Sequence, residues 1–201
     1  MRFLLSSLIV FFLGCTPYPK KLGYSPDQSK SKTFTNPYFS DLQKDYVYKA
    51  NISAFKNEFS GILVIKKTDE NKHRVAFTTE LGNTIFDFSI GDDSFEVNHI
   101  LKKMDRKLLL NVLEQDFRTL IKENIAFTET YAKENTKLLK AKIGTKNHYY
   151  NFKKDTLQSI AKVGNQKEIV VITFSERSEN LARHIQILHK NIKLAISLQA
   201  I

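Results

Sequence analysis

From residue 45 to the end of this 201-residue chain, apolar and polar residues alternate in short runs separated by turn residues. A period of two sends successive side chains to opposite faces, so each run reads as a strand with one apolar face. The runs cover 46–55, 59–67, 72–79, 84–90 and 94–98, then 136–143, 146–152, 157–163, 167–174, 182–189 and 192–199. A single helical stretch interrupts them. Leu109, Val112, Leu113, Phe117, Leu120 and Ile121 recur at helical spacing over 105–123, with Asp116 the polar exception in the stripe and Asp105 placed to cap it. One helix cannot cover about eleven half-apolar strands unless the sheet curls around it. The predicted fold is therefore mainly β with α: a curved antiparallel half-barrel of about 11 strands, with a helix packed in its concave face.

Two hairpins can be given a register. Across Leu81-Gly82, Phe77 falls opposite Phe86 and Val75 opposite Phe88, leaving Arg74, Ala76, Thr78, Asp87 and Ser89 on the wet face. Setting His189 opposite Ile192 pairs Ile187 with Leu194 and Ile185 with Ile196.

The other end of the chain is an address. After Arg2, residues 3–13 are apolar except for Ser6 and Ser7. That run is short for a bilayer span, which takes about 20 residues, but it suits a secretory signal. It ends in Phe12-Leu13-Gly14-Cys15, which resembles the lipobox of bacterial lipoproteins; the alternative is a plain signal with an incidental cysteine. The resemblance implies that residues 1–14 are a lipoprotein signal peptide and that Cys15 carries acyl chains. Residues 15–40 hold all four prolines among Ser, Thr and Lys and show no sustained apolar period, so they read as a lipidated N-terminus and flexible tether. Residues 41–201 form the domain.

Export changes what the charge means. Lys+Arg 31 against Asp+Glu 21 gives a net charge of +10, which in another compartment would suggest nucleic acid. Outside the cytoplasm nucleic acid is not the expected partner, and a membrane surface or acidic cargo takes its place; a basic face that is merely solvated is the plain alternative. The lone Cys excludes an intramolecular disulfide and a Cys-rich zinc site.

Thr79-Glu80-Leu81-Gly82-Asn83-Thr84 is an ordinary turn apart from Leu81, whose exposure at an apex would forgo about 1.5–3 kcal/mol of burial. Folding back onto a neighbouring loop would remove the anomaly. The surrounding segment Arg74-Val75-Ala76-Phe77-Thr78-Thr79-Glu80-Leu81-Gly82-Asn83-Thr84-Ile85-Phe86-Asp87-Phe88 resembles the corresponding hairpin of the LolB family of outer-membrane lipoprotein receptors. Phe59-Ser60-Gly61-Ile62-Leu63-Val64 is similar to its glycine-bearing strand, and residues 185–196 to its closing hairpin. The resemblance implies the LolA/LolB half-barrel, a membrane-inserting role for Leu81, and delivery of acylated lipoproteins from a periplasmic LolA-type carrier into the outer membrane. The expected protein is a monomer held to that membrane by its lipid and facing the periplasm. The runner-up is an envelope lipoprotein that uses the same fold as a ligand sensor or structural scaffold.

Candidate cavity-lining residues are Val75, Phe77, Phe86, Phe88, Phe95, Leu109, Leu113 and Phe117, although each would serve equally as core. No nucleophile elbow or His-Glu-x-x-His motif is present, and His184 and His189, five apart in a strand, face opposite sides. No catalytic residue, metal or cofactor is expected, and the chain reads as a carrier or receptor without enzyme activity.

Overall fold

The computed structural model describes residues 16–28, 33–178 and 180–201. The expected signal segment and the expected lipidation site Cys15 lie outside the described residues.

Helix α1 (Tyr18–Lys21) is followed by strands β1 (Ser25–Asp27), β2 (Thr33–Thr35), β3 (Asp45–Ala54), β4 (Asn57–Asp69), β5 (Lys72–Thr78), β6 (Thr84–Gly91) and β7 (Phe95–Ile100). Helix α2 (Lys107–Ile121) leads into β8 (Asn124–Lys133), β9 (Thr136–Ile143), β10 (Lys146–Lys153) and β11 (Thr156–Gly164). Strands β12 (Lys167–Ser178), β13 (Leu181–His189) and β14 (Leu194–Ala200) complete the described chain. The strands form one antiparallel sheet of 14, ordered β1-β8-β9-β10-β11-β12-β13-β14-β3-β4-β5-β6-β7, with β2 also paired to β8. The sheet is left open: its path ends at β1 and β7, which do not pair, and α2 connects β7 to β8 in the chain.

Contacts of α2 show how the sheet bends. Phe117 meets Phe86 of β6 at 5.8 Å between ring centroids, Asp116 meets His189 of β13 at 2.7 Å, and Thr119 lies 3.5 Å from His148 of β10. A helix can reach strands this far apart in the order only if the sheet wraps around it. Its buried stripe of Leu109, Leu113, Phe117, Leu120 and Ile121 joins the inward residues of the sheet in one continuous core. The helix begins at Lys107 without a side-chain cap, so Asp105 does not play that part; its amide instead donates to the Leu101 carbonyl in a tight turn.

The β5–β6 register is as the sequence implies, with Val75 opposite Phe88 and Phe77 opposite Phe86. The β13–β14 register differs by two: Ile187 faces Ile196, and Ile185 faces Leu198. The loop is Lys190-Asn191-Ile192-Lys193 rather than two residues, and a shift of two leaves the inward face unchanged.

The expected flexible tether is a correction. Tyr18 is buried against Leu138, Tyr149, Ala161 and Val163; its amide donates to Gln166 Oε1 at 2.7 Å and its hydroxyl to Glu168 at 2.8 Å. Asn36 donates through Nδ2 to the Leu120 and Lys122 carbonyls, satisfying the C-terminal turn of α2. Phe39 is buried among Tyr46 and Tyr48. A few well-placed aromatic anchors hold residues that composition alone assigns to a linker.

Candidate functional site

Leu81 stands at the tip of the β5–β6 hairpin and is 90% exposed. The turn beneath it is fixed. The Thr79 amide donates to the Asn83 carbonyl at 2.9 Å, the Gly82 amide to the Thr79 carbonyl at 2.9 Å, and the Asn83 amide to Thr79 Oγ1 at 3.1 Å. Gly82 supplies the positive φ of +84° that closes the turn, in open space. At the hairpin's base, a Cβ on Gly61 would come within 1.9 Å of the Thr78 carbonyl oxygen, so only glycine lets β4 and the end of β5 approach as they do. Leu81 does not fold back onto a neighbour, and a rigid support holds it in water.

The candidate cavity residues have a different fate. Val75, Phe77, Phe86, Phe88, Leu109, Leu113 and Phe117 are all buried within the core, and Phe95 is partly buried with its ring 5.2 Å from Phe88. Phe86 stacks on Phe88 at 4.5 Å and tilts against Phe77 at 5.4 Å. The helix fills the concave face where an open cavity was expected. Of the two reasons for aromatics in these strands, core packing is the one these residues satisfy.

Open volume lies instead beside the C-terminal half of α2. A cleft of about 610 Å³ is bordered by Glu70, His73, Asp92, Arg118, Glu123 and Lys142. A neighbouring one of about 390 Å³ shares Arg118, Ile143 and Gly144 with it, and adds Lys146, His148 and Lys162. Arg118 donates to the carbonyls of Gly91, Asp92 and Ser94 and pairs with Glu114 at 2.9 Å, so it clips α2 to the β6–β7 turn. Glu123, on the cleft's border, pairs with Lys67 at 2.8 Å. Among the described residues no group of three or more metal-ligating side chains comes together.

The spacing that marks Asp116 as the polar exception in its stripe does not reveal its buried partner, His189. The pair joins α2 to β13 inside the core, and burial pushes the Asp116 carboxyl upward while the His189 hydrogen bond opposes that shift. The signal was the one acidic residue in an otherwise apolar stripe. His184, by contrast, sits on the outer side near Glu176 at 3.1 Å, as its spacing from His189 requires.

His148 provides a test of this packing. Burial lowers its pKa from 6.5 to about 4. Between those values the unfolded chain binds a proton that the folded one refuses, so stability falls as pH falls. The loss should reach about 2 kcal/mol by pH 5, and burial of His73 adds the same sign. Melting temperature should drop between pH 7 and pH 5, and His148→Asn should flatten that slope. An equal slope in the variant would place the proton uptake elsewhere.

The fold and apex thus define an open antiparallel β-protein wrapped on one helix, bearing a rigid apolar tip. No protein-family model matches the chain, and no curated protein matches it. No helix among the described residues is long and apolar enough to cross a membrane.

Proposed function

We propose that this chain is an envelope lipoprotein of the LolB type, anchored through Cys15, which receives acylated proteins from a LolA-type carrier and passes them into the outer membrane. The half-barrel reading of the open sheet belongs to this proposal. The observation that carries it is Leu81, left 90% exposed on a turn braced by three hydrogen bonds. A leucine kept in water by a rigid support recovers its burial only when it meets another apolar phase. Transfer needs no covalent step. An acyl chain gains about 0.8 kcal/mol per buried methylene in a protein site or in the bilayer, so a shallow difference in affinity sets its direction. In this reading α2 moves away from the sheet when cargo arrives, because Leu109, Leu113 and Phe117 occupy the space an acyl chain would take.

The filled interior favours a second reading, in which the protein is an envelope scaffold or ligand sensor that contacts the membrane through Leu81 without delivering cargo. Depletion in the native host separates the two. Delivery predicts that other lipoproteins accumulate away from the outer membrane, whereas their normal distribution after depletion supports the scaffold.

A further inference from the structure

Charge is divided between the two ends of the strands. Strands β3, β5, β7, β9, β11 and β13 run toward one end, because every neighbouring pair in the order is antiparallel. The β3–β4, β5–β6 and β13–β14 turns there, together with the β7–α2 connection at 101–106, carry six cations (Lys56, Lys102, Lys103, Arg106, Lys190 and Lys193) against two carboxylates, Glu80 and Asp105. Among the described residues, the turns at the opposite end carry one cation, Lys154, against five carboxylates: Glu70, Asp92, Asp93, Glu134 and Asp155. None of the six cations has a carboxylate within 4 Å among the described residues, and Glu80 is already paired with Lys49 at 3.7 Å.

Three exposed leucines, Leu81, Leu101 and Leu108, lie at this end. Leu101 donates its amide to the Ile85 carbonyl at 2.7 Å, which places the 101–106 connection beside the start of β6 and hence beside the Leu81 turn. Met104 is fully buried and pins that connection to the core. Around it Leu101 is 39% exposed and Leu108, in the first turn of α2, 57%. Lys102, Lys103, Arg106 and Lys107 surround them and are all exposed.

We infer that this end of the sheet is a docking face for a bilayer containing anionic lipid, in which the 101–108 segment works beside Leu81. The leucines enter the interface while the surrounding cations meet phosphate headgroups, and the acidic end is repelled from the same surface. The inference rests on the reading of Leu81 as membrane-facing, but it does not require delivery of cargo.

The test uses the full lipidated protein in vesicles, with a polarity-sensitive fluorophore at Leu108→Cys or Lys103→Cys, both exposed positions. In phosphatidylcholine vesicles with about one-third phosphatidylglycerol, emission should shift to the blue, and high salt or pure phosphatidylcholine should reverse the shift. A label at Asn135→Cys in the β8–β9 turn should stay aqueous. Replacing Lys102, Lys103, Arg106 and Lys107 together by Gln should lower the docked-to-free ratio by nearly three orders of magnitude, at roughly fivefold per cation. Aqueous emission at both 103 and 108 in anionic vesicles, or an equal shift at 135, would overturn the docking face. Cargo transfer measured alongside keeps the two ideas apart. A shift at 108 without transfer retains the face and removes delivery, and transfer without a shift does the reverse.

Discussion

Leu113→Asp should unfold the domain or lower its melting temperature by about 15 °C. Leu113 is fully buried on the inward stripe of α2, in the same cluster as Phe77, Phe86 and Phe117. Deleting a buried leucine side chain costs about 2–5 kcal/mol on its own. The new carboxylate adds a desolvation penalty, because the stripe around it, Leu109, Phe117 and Leu120, is buried and apolar. The total approaches the whole stability expected of a domain, about 5–15 kcal/mol. Thermal melting followed by circular dichroism measures it, and a melting temperature within a degree or two of the wild type would mean that α2 does not fill the curved sheet.

Leu81→Glu should do the opposite to the fold and the most to function. The side chain has little contact to lose, so stability should stay within about 0.5 kcal/mol. Binding of an acyl probe should also survive, since the apex lies outside the core that α2 covers. Insertion is where the change acts. A charge forced toward the acyl region costs about 3 kcal/mol, and the leucine's own gain of about 1.5–3 kcal/mol is lost, so transfer into liposomes should fall at least a hundredfold. Leu81→Phe should keep transfer. A stability loss of several kcal/mol would place Leu81 in the core, against its exposure.

How much of this could be read from the sequence follows from how locally each feature is encoded. The β5–β6 register was legible because Phe77, Phe86, Val75 and Phe88 face one another across a short turn, with alternation unbroken on both sides. Strand β8 was not legible. A bulge between Phe127 and Glu129 changes the face partway along, so Ile125 and Phe127 and then Thr130 point inward without a constant period. Strands β1 and β2 were hidden by prolines and polar residues, since their pairing with β8 involves the backbone and the packing relies on isolated aromatics such as Tyr18 and Phe39. Leu81 was visible as a misplaced apolar residue in a turn. Asp116 was equally visible as a misplaced acid, but its partner His189 is 73 positions away and only the curl of the sheet unites them. The unpaired cations around 101–106 likewise gain meaning only when the fold sets that connection beside the Leu81 turn.

The proposed activity is delivery of an acylated protein from a soluble carrier into a membrane. It is tested most directly by mixing a carrier-bound, acylated lipoprotein with liposomes that do or do not contain this chain, then separating membrane from supernatant. The account predicts that cargo moves to the liposomes only when the chain is present, and that Leu81→Glu leaves it with the carrier. Equal recovery of cargo in the supernatant with and without the wild-type chain would contradict it.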